Sequence, residues 1–158
     1  MKLETVQLSG SFKARGAANA LLYHADKIGS SGVVAYSTGN FGKAVACVAS
    51  AIGAKATICI SRHVPPAKVE ALRKAGAEID QQSDSQDQAV ERARAYARSG
   101  AHFLDPINDP LVIAGHGTAG LEILEQAPDT DLVVVPLSGG ALACGVAVAL
   151  KSANPALR

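Results

Sequence analysis

The sequence has no tryptophan, and aromatic residues make up only 4% of its 158 positions. A core without large rings must be filled by Ala, Val, Ile and Leu, which suits helices covering both faces of a parallel sheet. An excess of one charge is also missing. The 15 basic and 14 acidic residues leave a formal net charge of +1. There is no Lys/Arg cluster with interleaved aromatics, so neither nucleic acid nor an anionic membrane is expected as a partner. The longest apolar runs, such as DLVVVPL (131–137), are far too short to span a bilayer. The opening MKLETVQLSGS lacks the apolar centre of a signal peptide, so a cytoplasmic location is expected. Cys47, Cys59 and Cys144 are few and widely spaced. None forms a C-x-x-C, and no histidine pair has ligand spacing, so no metal site is expected. Each cysteine lies in an apolar segment and is expected to be a buried small hydrophobe.

What is present is an alternation. GVVAYS (32–37), ATICIS (56–61), the weaker AEIDQQ (77–82), HFLDP (102–106) and DLVVVPLS (131–138) read as strands, and the last is the strongest. Helical patterns occupy GKAVACVASAIG (42–53), PPAKVEALRKAG (65–76), SQDQAVERARAYARSG (85–100), AGLEILEQA (119–127) and GGALACGVAVALKSA (139–153). Strands alternating with helices predict βαβ units, and hence an α/β fold with a parallel sheet. DPINDPLVIAG (105–115), with its two Asp-Pro steps, reads as a crossing between two lobes.

Three turns are built from small residues. Ligands of parallel sheets bind at the carboxyl ends of strands, where amides of the following helix point outward. STGNFGKA (37–44) offers the hydroxyls of Ser37 and Thr38, the amide of Asn40 and the open backbone of Gly39. A tight turn with a helix cap explains it equally well on local grounds. It is no P-loop, because Ser37 replaces the first glycine and Ala44 follows Lys43. PLSGGALACG (136–145) places Gly139 and Gly140 where backbone amides cradle a phosphate, or where a structural turn needs them. GHGTAG (115–120) satisfies G-x-G-x-x-G, but no good strand precedes it and no acidic residue ends the next strand, so a nicotinamide site is a minor alternative.

Lys13, in QLSGSFKARGAANALL (7–22), opens a predicted helix among small residues with Arg15 close by. A helix N-terminus and a second cation lower an amine's pKa, and a neutral amine forms a Schiff base with a carbonyl. A solvated surface lysine remains the alternative. An amine, a hydroxyl/amide turn and a glycine-rich turn together are what pyridoxal phosphate requires.

KLETVQLSGSFKARGA (2–17), STGNFGKAVA (37–46) and VPLSGGALACGVA (135–147) resemble, in order and spacing, three signatures of the fold-type II pyridoxal-phosphate enzymes. The likeness is greatest to the threonine/serine dehydratases, and within them to those assigned to hydroxyectoine utilization. The resemblance implies a three-layer α/β/α fold like that of the tryptophan synthase β-subunit. It divides the chain into a lysine-bearing segment (1–17), a small α/β domain (18–104) and part of a large cofactor domain (105–158). It implies pyridoxal 5'-phosphate as cofactor, with Lys13 as the Schiff-base lysine and Phe12 near the ring. Asn40 would bond the ring hydroxyl, and Ser138, Gly139, Gly140, Ala141 and Leu142 would hold the phosphate. Ser37, Thr38, Gly39 and Asn40 would receive the substrate.

The implied reaction is α,β-elimination on an amino acid such as threonine or serine, giving a 2-oxo acid and ammonia. A homo-oligomer, a dimer in the full-length family, is also implied. The chain departs from the family pattern at Phe41, usually His, and at His116, usually Gln. Ser138 and Ala141 replace outer glycines, and Thr38 replaces the serine of racemases. Family members are longer than this chain. A non-catalytic remnant with exposed apolar faces is therefore the alternative, and an amino-acid racemase a lesser one.

Overall fold

A computed structural model describes residues 1–158. Strands β1 (Val33–Tyr36), β2 (Ala56–Ser61), β3 (Glu78–Ser83) and β4 (His102–Phe103) form one parallel sheet in the order β3-β2-β1-β4. Helices α1 (Lys13–Tyr23), α2 (Asn40–Ala51), α3 (Pro66–Lys74), α4 (Gln86–Arg98), α5 (Pro110–Gln126) and α6 (Ala141–Ala153) complete the chain, after a short 3-10 turn at Glu4–Val6.

The strands are apolar on both faces, as a doubly covered sheet requires. Val33 and Ala35 of β1 join Ile58 and Ile60 of β2 in one buried cluster with α1, α2 and α3. Val34 and Cys59 point the other way, onto Ala89 and Ala93 of α4. Each large side chain fully buried here, such as Ile58 or Leu72, contributes about 1.5–3 kcal/mol. Local signals set the helix ends. Ser85 Oγ accepts from the Gln88 amide at 3.2 Å. The Asp109 carboxylate accepts from the amides of Leu111 and Val112 at 2.8 and 3.4 Å, with Pro110 opening α5.

Three expectations need correction. DLVVVPLS forms no strand in the sheet. Its backbone bonds run to the far end of the chain: the Val133 amide donates to the Arg158 carbonyl and the Arg158 amide to the Asp131 carbonyl. A ladder needs a neighbouring strand along its length, and none of the four borders this segment. The period of two survives in the burial of 132–135 and is lost at Leu137. Val133 and Val135 pack on the α5–α6 cluster, while Leu132, Val134 and Leu137 are exposed. Secondly, LVIAGHGTAG is neither crossing nor turn but the body of α5, so the crossing is confined to 104–109. Thirdly, only Cys59 is buried. Cys47 is half-buried and Cys144 lies on the outward face of α6 beside exposed Val148.

The glycines of GHGTAG serve helix packing. A Cβ at Gly115 would fall 2.5 Å from the Arg15 carbonyl oxygen on α1. One at Gly117 would fall 2.9 Å from the Gly145 carbonyl oxygen, and one at Gly120 3.1 Å from that of Val146, both on α6. Thus α5 is clamped between α1 and α6 nearly backbone to backbone. Arg15 reinforces the clamp. Its guanidinium donates to Glu4 at 2.6 and 2.8 Å, to Glu122 at 2.6 and 2.8 Å, and to Thr118 at 3.0 Å. Lys2 also pairs with Glu122, and these bonds pull the Glu122 carboxyl down to about 2.

Gly117→Ala is expected to lower stability by about 1–3 kcal/mol, despite alanine's better helix propensity, because the methyl has no room. Urea unfolding measures this. An unchanged or raised midpoint would contradict the close approach.

Candidate functional site

The first residues of α1, α2 and α6 (Lys13, Asn40 and Ala141) line one cavity of about 430 Å³. Phe12, Ser37 and Phe41 close one side, and Pro106 and Ile107 of the β4–α5 crossing another. The segment 136–142 forms the remaining wall. Three helix N-termini bordering one space give it a positive partial charge suited to an anion.

Lys13 is half-buried, and its amine has neither a hydrogen bond nor an ion pair to the protein. Its Nζ lies 4.9 Å from the Phe12 ring centroid and 5.7 Å from that of Phe41. Burial lowers its pKa from the usual lysine value. Burial is the cause, and the contribution expected from Arg15 is absent; that guanidinium is paired with Glu4 and Glu122. Phe41, the departure from histidine, is buried in the main core cluster, which explains an apolar residue there.

In the 138–142 turn, Gly140 caps α6 with φ +92°, a conformation that favours glycine. Ala141 is the first helical residue and has no positive φ, so its replacement of glycine carries no backbone strain. The amides of Gly139, Gly140, Ala141 and Leu142 have no acceptor within the chain. Ser138, Gly139, Gly140, Ala141 and Leu142 all border the cavity, as do Phe12, Lys13, Ser37 and Asn40. Thr38 and Gly39 do not line it. They belong to the same β1–α2 turn, where the Gly39 amide donates to Ser37 Oγ at 3.2 Å.

Pro106, Ile107, Pro136 and Leu137 are lining residues that the sequence reading missed. The Asp-Pro steps flanking Ile107 marked a crossing but not its proximity to the glycine turn. Two other depressions are larger. A groove of about 630 Å³ runs between the N-terminal segment and residues 132–136, and an open cleft of about 610 Å³ lies beside His24 and Asp105. Neither is lined by Lys13, Gly139 or Gly140, although the groove shares Phe12, Pro136 and Leu142 with the cavity. No group of three or more His, Cys, Asp or Glu is arranged to hold a metal ion, and no helix is long and apolar enough to cross a membrane.

Behind Phe12 stands His116 of α5, fully buried, with its ring 5.0 Å from that of Phe12 in an edge-on arrangement. Neither ring nitrogen has a hydrogen-bond partner. Burial, then the charges of Lys13 and Arg15, push its pKa from 6.5 down to about 4, against the opposing charge of Glu4.

The chain matches the family model described as pyridoxal-phosphate dependent enzyme over residues 1–158. It belongs to that family, whose cofactor is pyridoxal phosphate. It is 48% identical to a putative threonine dehydratase of Sinorhizobium fredii, aligning over 100% of this chain and 48% of that protein. It is 45% identical to the L-threonine ammonia-lyase of Thermotoga maritima, over 100% of this chain and 40% of that one. Among solved structures, maize serine racemase superposes with a TM-score of 0.92 and 40% identity, over 98% of this chain and 47% of that one. The chain therefore spans less than half the length of these relatives. The fold is that of the tryptophan synthase β-like pyridoxal-phosphate enzymes, as expected from the three signatures.

An unfolded histidine takes up a proton near 6.5, while His116 in the fold does so only near 4. Its contribution to stability is complete above 6.5 and is lost as pH falls from 6.5 towards 4. Between pH 7 and pH 5, wild type is expected to lose about 2 kcal/mol more stability than His116→Gln. Urea unfolding of both proteins at each pH checks this. Equal losses would contradict the neutral, unpartnered imidazole.

Proposed function

We propose that this chain carries the lysine-bearing and phosphate-binding part of a pyridoxal-phosphate-dependent dehydratase. The reaction converts a β-hydroxy amino acid, threonine or serine, to a 2-oxo acid and ammonia. The observation that carries the reading is the cavity that joins the unpaired Lys13 amine to the free amides of the Gly139–Gly140 turn. The similarity to threonine dehydratase and L-threonine ammonia-lyase supports the substrate class.

The residues present fit the cofactor. A Cβ at Gly139 would meet Ile107 Cγ1 at 3.1 Å, tight enough that the isoleucine would have to give way, while Gly140 is open. An amine of lowered pKa, an anion-seeking turn and the Asn40 amide border the same space. Lys13 Nζ would attach the cofactor, and the amides of 139–142 with Ser138 Oγ would hold its phosphate. Asn40 would serve the ring hydroxyl, with Phe12 on the ring's side of the cavity. Ser37, with Thr38 and Gly39 of its turn, offers donors to the substrate carboxylate.

When bound, pyridoxal phosphate supplies an electron sink for charge developing at the substrate α-carbon. Lys13 Nζ, freed on substrate binding, takes the α-proton. The β-hydroxyl departs as water, and hydrolysis of the resulting unsaturated amine returns one water and yields the 2-oxo acid and ammonia. Phe12 and Phe41 stand against the amine and limit its hydration, and burial lowers its pKa in the direction a base requires. We also place residues 18–104 as the small domain of a cytoplasmic, homodimeric enzyme.

A second reading, an amino-acid racemase, has support in the likeness to maize serine racemase. Thr38, where racemases carry a serine, weighs against it.

Protein incubated with pyridoxal phosphate is expected to gain a visible absorption band that Lys13→Ala lacks. Release of 2-oxo acid and ammonia from L-threonine is expected to fall by about 10³-fold or more in the same variant. A band that persists in Lys13→Ala would sink the assignment of Lys13. Conversion of L-serine to D-serine without ammonia release would replace the dehydratase by the racemase.

A further inference from the structure

The β4–α5 crossing bears a feature that the proposed chemistry does not use. Asp105 folds its carboxylate back to accept from the amides of Ile107 and Asn108 at 2.8 and 3.0 Å. At the other end Asp109 caps α5. The two carboxylates pin a short loop with Ile107 near its apex. Ile107 is 41% exposed, an open position for a large apolar side chain. Yet it covers the face of Gly139 that a side chain would occupy. From the position of a Gly139 Cβ, Ile107 Cγ1, Cδ1 and Cγ2 lie 3.1, 3.2 and 3.7 Å away.

The glycine turn needs such a wall. Two consecutive glycines are the most conformationally free backbone a chain offers, and fixing them for an anion costs entropy. The amides of Gly139 and Gly140 make no bonds that would fix the turn from within. The Gly140 carbonyl is held by the Cys144 amide at 2.8 Å, but Gly139 has no backbone bond of its own, and Ile107 is the side chain that covers it. A β-branched residue suits this role, because its χ1 is stiff.

We propose that Ile107 is a positioning residue for the phosphate end of the cofactor: it presses on Gly139, holds the amides of the turn in their convergent arrangement and ties the β4–α5 crossing to the start of α6. This rests on the cofactor site described above. The role is specific to the phosphate, and that separates it from general support of the cavity.

The test compares pyridoxal phosphate with pyridoxal, which has the aldehyde but no phosphate, by titrating the Lys13-dependent absorption band. In Ile107→Ala the dissociation constant for pyridoxal phosphate is expected to rise about tenfold, with that for pyridoxal unchanged. Ile107→Val, which keeps the branch, is expected to restore wild-type binding. Gly139→Ala is expected to weaken pyridoxal phosphate binding in wild type and much less in the Ile107→Ala background, where the methyl has room. Equal losses for both ligands in Ile107→Ala, no loss for either, or additive effects of the two substitutions would overturn the proposal. A wild-type protein with no band at all would overturn the cofactor site, and this inference with it.

Discussion

The close approach of α1, α5 and α6 is the constraint on which the site depends. Lys13 opens α1 and the glycine turn opens α6, far apart in sequence and never in one element. They face one cavity because α5 lies between their helices, with Gly115 against Arg15 and Gly117 against Gly145. Helices separated by larger side chains sit about 8–10 Å apart, axis to axis, and small residues at the contact permit the lower end of that range. The Arg15 ion pairs with Glu4 and Glu122 hold the N-terminal segment to the same assembly. This partly buried network fixes geometry at modest gain in stability.

Two cations two residues apart show how the fold assigns chemistry. Arg15 is almost fully enclosed by carboxylates and is locked in its charged form. Lys13, on another side of the same helix, has no anion beside it, and burial lowers its pKa. His116 extends the pattern. It fills the space behind Phe12 as a neutral ring, where a charge would add repulsion beside Lys13.

Much of this was legible in the sequence. The alternation of short apolar runs with helices gave the parallel sheet, and the three family-like signatures gave Lys13, Ser37, Asn40 and residues 138–142, which the fold brings to one cavity. Where the reading failed, the missing information was tertiary. The pattern of DLVVVPLS specifies one buried side and one exposed side, but pairing needs a neighbour that periodicity does not reveal. GHGTAG carried a spacing shared by phosphate turns and by tightly packed helices, and only the helices facing it decide between them. Ile107 gave no signal, because its contact with Gly139 joins residues distant in sequence.

The central claim is that the Lys13 amine is the reactive group of a pyridoxal-phosphate site. Its most direct test is to incubate the protein with a stoichiometric amount of pyridoxal phosphate, reduce with borohydride, digest and map the pyridoxyl mass by peptide mass spectrometry. The account predicts that the label falls on Lys13, whose free, partly desolvated amine lies beside the phosphate-seeking turn. Label spread over exposed lysines such as Lys27, Lys55 and Lys68, with none on Lys13, would contradict it.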